Sequence, residues 1–547
     1  MKKTLKIIII IFISLTTKII NINAETLPRI FLEGNINDIT KKNDERKIKL
    51  RYISNELEFE SHAKIKLQGN SSIRYDKKNY TIKLYEDNTY SNKKNVDFGK
   101  NWGKQHKYYL KANWVDKTHS RNIVTSNIVA NIQKKYNLFM DSPNNGQIDG
   151  YPIEIYIDNT FYGLYTLNIP KDNWTFNMDN DNPNHIVMAA NEHNDSTLFK
   201  QEANLDNWEV EIGPETDETI EKFNRLINFI KDSSNTEFKN NFNDYLDLDA
   251  TINYYIITDF AKLSDNISKN LLIATYDGKI WYPTLYDLDT SWGTNWKGTS
   301  TTYYKQSLSK NFNNSLLWSK LETNFPKEIA NRYFELRKTI LTNNNIMTKF
   351  NNFYKKIPLE TLNKEKNKWE ELPGYKIDQI EDFLDKRTPI IDKKMYDLYD
   401  ITPQINIEYS TQKPTLKPVT VTLTPNRTDI IIVKNGKKSY DYTYTFKENG
   451  QYTFEYQDWY GNNLGTINIE INCIKTKLFI NTCLSISISI IGLLLYLGSK
   501  KKNKLTKETN KEKQKEENKT TKKKNNSNKK KENKKTTKNN KKKKTED

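Results

Sequence analysis

The chain has almost no cysteine: two in 547 residues, Cys473 and Cys483. One falls at the edge of the long apolar run near the C-terminus and the other falls inside it, so neither can cross-link the region before them. That region must rest on its own hydrophobic core, and its length is enough for two or three domains. Histidine is nearly as scarce. The five, His62, His106, His119, His185 and His193, are scattered, and none makes a spacing typical of zinc. Positive charge is also missing where the basic pI would suggest it. The formal net charge is +18, but residues 499–547 hold 22 lysines against 7 acidic residues. Residues 1–24 add Lys2, Lys3, Lys6 and Lys18 with no acid, which leaves residues 25–498 at −1. The pI therefore gives no argument for nucleic-acid binding by the central region.

The two ends set the compartments. Lys2, Lys3 and Lys6 precede an apolar run over 7–15, and Ala24 stands before Glu25. A basic start, a short apolar middle and a small exit residue are the order of a signal peptide, so residues 1–24 are expected to be removed. The alternative is an uncleaved anchor, interrupted by Thr16, Thr17 and Lys18 and short of the roughly 20 apolar residues a span needs. Residues 478–498 carry no charge and are rich in Ile and Leu, and Lys500 follows at once. This predicts a single transmembrane helix with its basic flank on the cytoplasmic side and the region before it outside the cell. Residues 499–547 lack the apolar residues for a core and are expected to be a disordered cytoplasmic tail. Its lysines suit anionic lipid headgroups, with RNA or ribosome contact the weaker reading.

Between these ends the texture changes near residue 401. From there, Val419, Val421 and Leu423 alternate, then 430–433, then Tyr440, Tyr442 and Tyr444, then Tyr452, Phe454 and Tyr456, then Ile467, Ile469 and Ile471. Asn435-Gly436 and Asn449-Gly450 supply turns. Period-two runs between such turns predict a small antiparallel sandwich over 401–472, and the segment resembles bacterial immunoglobulin-like spacers. Residues 25–400 read differently. Strand patterns come first, at 63–67, 80–84 and 109–112, with a helix over 120–132 and a hairpin across Asp158-Asn159. Helical spacing then dominates, over 246–263, 315–341 and 371–399. Strands followed by helices suggest an α+β domain with two lobes.

One stretch stands out chemically. The helix ending near 263 runs into Ser264-Asp265-Asn266, with Asn270 behind it. An apolar hairpin, 271–275 and 281–285, then leads to Tyr286-Asp287-Leu288-Asp289 and Trp292-Gly293. If the strand continues, Asp287 and Asp289 share a face. Two carboxylates on one face repel unless a cation lies between them, and hard divalent cations that hold phosphates take such oxygen ligands. The plainer reading is a turn with a capping Asp.

With that stretch in view, residues 27–395 resemble the CotH kinase family of spore-coat and surface proteins. The pieces stand in the family's order. Lys66-Leu67-Gln68-Gly69-Asn70-Ser71-Ser72 comes first, with Lys77-Lys78-Asn79-Tyr80 and Ile82-Lys83-Leu84 behind it. Leu110-Lys111-Ala112-Asn113-Trp114-Val115-Asp116 and Ser120-Arg121-Asn122 follow. The hairpin leads to Tyr162-Gly163-Leu164-Tyr165, and Asp265-Asn266, Asn270 and Asp287-Leu288-Asp289 close the set. The resemblance implies a two-lobed atypical kinase-like domain over 25–400. Such a domain would use ATP with Mg²⁺ or Mn²⁺ to phosphorylate Ser or Thr of an envelope or spore-coat protein. By the same resemblance Asp265 is the catalytic carboxylate, and Asp287 and Asp289 are the metal ligands. Lys78 is the phosphate-contacting lysine, Arg121 contacts phosphate or holds the lobes together, and Tyr286 and Asn270 line the nucleotide site. There is no P-loop and no signature of typical protein kinases. Two departures are evident: Tyr286 stands where the family often has Trp, and Ile169 where it often has Glu, with Asn168 the nearest polar substitute. A different class of function stays open beside this one, a surface adhesin or structural module that kept the fold without the activity.

Overall fold

The computed structural model describes residues 26–36, 38–69, 71–190, 192–299, 309–370, 377–475 and 477–521. The expected signal segment and the tail beyond 521 lie outside them. The described residues form a mixed α+β structure. They divide into two compact units. Residues 26–406 with Pro425–Tyr440 and Glu455–Gly465 form one, and Ile407–Thr424, Asp441–Phe454 and 466–521 form the other.

The first unit opens with a barrel. Its strands are β1 (Arg29–Glu33), β2 (Arg46–Ile53), β3 (Glu58–Leu67), β4 (Tyr80–Tyr85), β5 (Lys107–Lys111), β6 (Gly150–Ile157) and β7 (Thr160–Asn168). Their order is β1-β2-β3-β4-β5-β7-β6, closed where β1 runs parallel to β6 with Ile30 opposite Ile155. Alternation dictates the faces. Ala63, Ile65 and Leu67 of β3 and Ile82 and Leu84 of β4 are buried in the barrel, while the lysines between them point out. The β6–β7 turn uses Asp158 and Asn159, both left-handed (φ 47° and 65°), the geometry that suits a two-residue hairpin. Between β5 and β6 lies helix α1 (Arg121–Lys135), whose Ile128 and Ile132 are fully buried.

A second sheet follows, built from β8 (Ile186–Ala190), β9 (Trp208–Ile212), β10 (Leu271–Thr275) and β11 (Tyr282–Leu285) in the order β11-β10-β8-β9. Helices α2 (Asp217–Asp232), α3 (Asn235–Asn241) and α4 (Leu248–Phe260) come between β9 and β10. Asp247 starts α4 by accepting the amide of Ala250 at 2.7 Å. The periodicity over 315–341 predicts one helix. The structure has two, α5 (Leu316–Asn324) and α6 (Pro326–Arg337), because Pro326 cannot continue the first and instead occupies the first turn of the second. Next come α7 (Asn343–Tyr354), α8 (Leu359–Lys368) and α9 (Asp378–Asp397).

The C-terminal strands are β12 (Ile405–Tyr409), β13 (Val419–Pro425), β14 (Ile431–Lys434), β15 (Lys437–Ser439), β16 (Thr443–Phe446), β17 (Gly450–Gln457) and β18 (Asn463–Ile471). They make a three-stranded sheet, β12-β13-β16, and a four-stranded sheet, β15-β14-β17-β18. The last helix, α10, covers Lys477–Thr521. Part of it, Asn481–Glu516, is the one helix among the described residues long and apolar enough to cross a membrane by length and composition. The composition predicts disorder from residue 499, yet the helix runs on to Thr521. Lys and Glu are good helix formers, and extending a helix costs far less than nucleating one.

Candidate active site

Four buried or half-buried anchors fix the stretch between α4 and Trp292. Asn266, fully buried in a short 3-10 turn, donates from Nδ2 to the carbonyls of Tyr286 (2.8 Å) and Asn270 (3.2 Å). Asn270 is left-handed and its amide donates to the Ala190 carbonyl at 3.1 Å. From α1, the side-chain oxygen of Asn122 accepts the Leu288 amide at 3.1 Å. Leu288 itself is fully buried. Asp287 and Asp289 therefore hang on either side of a backbone clamped from two elements.

The strand does not reach them. β11 ends at Leu285, and Asp287 is left-handed at φ 55°, so the pair is brought together by a turn rather than by alternation along a strand. Their closeness shows in the electrostatics. Burial pushes the Asp289 carboxyl up to about 8. The charge of Asp287 adds to this, Lys111 opposes it, and Asp116 and Asp265 add smaller contributions. Of these four carboxylates, Asp116 is committed elsewhere. It accepts from the Arg121 amide (2.7 Å), the Arg121 guanidinium, the Thr118 amide (3.1 Å) and the Thr118 hydroxyl (2.8 Å). Asp287 and Asp289 are left as the pair that needs a counter-charge.

Asp265, the first residue of the 3-10 turn, has a side chain 44 % exposed, open to an incoming molecule. The nearby His193 ring holds its carboxyl below the usual range against the opposing effect of burial, helped by Lys269. His193 Nε2 stands 3.9 Å from Asp265 Oδ1, and its Nδ1 pairs with the Ser268 hydroxyl at 2.7 Å. His193 was not a candidate from its sequence context, because an isolated histidine in a polar loop carries no pattern.

The turn after β3 lies against the carboxylates. Gly69 has φ +96°, and a Cβ there would come within 2.1 Å of the Ser72 hydroxyl. Tyr75, at the end of this turn, donates to the Trp296 carbonyl at 3.1 Å and stacks on Trp114. Burial raises its hydroxyl pKa, and Asp289 and Asp287 raise it further. Lys78 does not face the carboxylates. Its ammonium donates to the carbonyls of Ile73 (2.9 Å) and Tyr75, closing the turn from behind. The lysine that the carboxylates feel is Lys111, at the end of β5, which donates to Gln68 Oε1 at 3.2 Å. Arg121 is consumed in joining elements: its Nε donates to the Ser291 carbonyl at 3.0 Å, and its other nitrogens to Asp116 and to Gln379 of α9. Of its two roles, holding parts together matches these contacts. The Lys171 ammonium lies 4.8 Å over the Tyr286 ring, and burial raises the Tyr286 hydroxyl pKa, with Tyr109 and Asp287 adding to it. Ile169 is fully buried, and Asn168 beside it is 1 % exposed.

Two aspartates on a fixed turn, one with its carboxyl raised first by burial and then by its neighbour, offer oxygen ligands that could take a hard divalent cation. Among the described residues no group of three or more His, Cys, Asp or Glu side chains could hold a metal. Such a cation would have to complete its shell with water or with oxygens of a bound molecule, which is how Mg²⁺ usually binds beside phosphates.

The profile of the family described as CotH kinase protein matches residues 65–391. That span is well over half the chain and contains β4 to α8, the Gly69 turn and every candidate residue, and this chain belongs to that family. Kinase-like activity is what the family suggests. No curated protein matches the chain.

Proposed function

We propose that the first unit is an atypical Ser/Thr protein kinase that transfers phosphate from ATP with Mg²⁺ or Mn²⁺. Its acceptor would be an envelope or spore-coat protein, reached from the outer face of a membrane in which 478–498 is the anchor. The observation that carries this reading is the Asp287–Asp289 pair beside an exposed Asp265. Asp287 and Asp289 would hold the cation, which neutralises charge on the transferred phosphate. Asp265 would accept the proton of the acceptor hydroxyl and orient it, with His193 steadying the carboxylate. Lys111 supplies the positive charge on the barrel side, and Lys78 shapes the Gly69 turn. Tyr109 and Tyr286 give an aromatic wall for a base, and Asn270 frames it. The barrel with α1 and the helical remainder would be the two lobes. The C-terminal sheets would be an immunoglobulin-like stalk, and the lysines after 498 would lie on anionic lipid.

The contrast between two conservative variants tests this. Asp265→Asn should leave ATP affinity nearly normal while transfer to protein falls by about 10² to 10⁴. Asp289→Asn should weaken metal-dependent nucleotide binding itself. If labelled ATP transfers no phosphate with any divalent cation, and both variants behave like the wild type, the chain is an adhesin or structural module on the same fold.

A further inference from the structure

The register of the barrel aligns four lysines. Lys47 of β2 stands opposite Lys64 of β3, Lys64 opposite Lys83 of β4, and Lys83 opposite Lys107 of β5. Their neighbours Ile48, Ala63, Ile65, Ile82, Leu84 and Tyr108 fill the barrel, so all four point outward in one row. At about 4.8 Å per strand the row is about 14 Å long. Like charges directly opposite on a sheet are destabilising, so a row of four is a pattern that stability alone does not favour.

Local partners offset it only in part. Lys64 reaches Glu45 at 3.3 Å and Lys107 reaches Asp172 at 3.3 Å, and Lys47 lies 4.7 Å over the Tyr90 ring. Lys83 has no salt bridge among the described residues. Burial lowers its pKa, as do Lys66, Lys107 and Lys64, with Glu45 opposing. His106, at the edge of the row, is pushed down to about 4 by burial and by Lys93, Lys83 and Lys107.

The row is continuous with the candidate site. Half-buried Lys66 follows Lys64 on the same face of β3 and half-buried Gln68 lies just past its end, while Tyr109 and Lys111, on the same face of β5 as Lys107, are buried. Lys111 meets Gln68 and faces the carboxylates, about 13 Å along the strand from Lys107. On the side away from the site, exposed Glu58 and Glu60 of β3 bound the basic zone. Lys49 of β2 and Lys66 of β3 widen the row on the same face, and a basic strip bounded by acids on the far side and leading toward the carboxylates matches a phosphate-bearing chain better than a flat anionic bilayer.

We propose that the outer face of β2 to β5 is a track for a chain bearing several phosphate groups, and that it holds an already phosphorylated segment of the acceptor next to the Asp287–Asp289 site. This rests on the phosphotransfer reading, whose product has that chemistry. Retention of the product would favour repeated phosphorylation of one chain.

Residue-resolved acylation of lysines in the detergent-solubilised full chain tests this, read by mass spectrometry so that the tail lysines do not confuse it. The probes are a serine peptide carrying four phosphoserines, its unphosphorylated form, and mixed micelles containing an anionic lipid. The phosphopeptide should slow acylation of Lys47, Lys64, Lys83 and Lys107 severalfold at low salt and not at high salt, and leave exposed Lys239 unchanged. The combined Lys→Gln variant at the four positions should remain folded, because the repulsion removed offsets the ion pairs lost with Lys64 and Lys107. Protection by the unphosphorylated peptide to the same extent, or by micelles alone, would overturn the track, as would protection confined to the tail. The melting shift with Mg²⁺-ATP is read on the same samples. Its loss with the footprint intact would count against the kinase reading, while loss of the footprint with the shift intact would count against the track alone.

Discussion

Asp289 shows how a single carboxyl can report on the site. Its proton is held more tightly in the folded chain than in the unfolded one, since the carboxyl is raised from 3.8 to about 8. The folded state is therefore disfavoured as pH rises through that interval, fully so above it, and not at all below 3.8. With cations chelated, Asp289→Asn should melt above the wild type at pH 8 and level with it near pH 4. Adding Mg²⁺ should stabilise the wild type more than the variant. A difference that does not change with pH would contradict the burial of Asp289 beside Asp287.

The lysines divide along the same line. Lys111→Met should weaken Mg²⁺-ATP binding by about tenfold or more, the order expected for a lost charged hydrogen bond. Lys78→Met should leave it nearly unchanged and lower Tm slightly. Calorimetric titration of both separates the two roles. In the sequence the aspartates were visible as candidates, being two carboxylates two residues apart behind an apolar hairpin, a pattern that a capping turn also makes. Lys111 was not, since it is one of many lysines alternating with apolar residues along strands, and only the strand register shows which of them faces the site.

At the level of elements, helix α8 is tied to the barrel by a buried ion pair. Lys77 donates to Glu365 at 2.6 Å and to the carbonyls of Ala112 (3.0 Å) and Leu164, and Glu365 also accepts the Leu164 amide at 2.6 Å. Both side chains are fully buried. Burial lowers the Lys77 pKa, with Glu365 opposing. Glu365→Ala leaves an uncompensated buried ammonium and an open amide, a loss of about 3–5 kcal/mol, and Tm should fall by several degrees. The double variant Lys77→Met, Glu365→Leu should recover most of it. Sequence periodicity found the strands of β3, β4 and β5, the β6–β7 and β10–β11 hairpins, and helices α1 and α4. It missed barrel closure, because β1 pairs with β6, Arg29 opposite Glu154, and no local pattern encodes so distant a partner. It also carried one helix through Pro326, where the proline starts a new one.

For the whole molecule, the distribution of charge and apolar length predicts a topology. A region near neutrality precedes an apolar helix, and the lysines follow it. With the first unit outside, protease added to intact protoplasts should remove residues before the span and spare a C-terminal tag; a tag digested from outside would reverse the orientation. What the molecule does with that placement depends on the site between Asp265 and Asp289. The most direct measurement is the melting temperature of the full chain in detergent with ATP, with and without Mg²⁺ or Mn²⁺, since a ligand that binds only the folded state raises Tm. A shift that needs both nucleotide and cation, survives Asp265→Asn and shrinks in Asp289→Asn is the expected result. No shift with any divalent cation would contradict a nucleotide site at these aspartates.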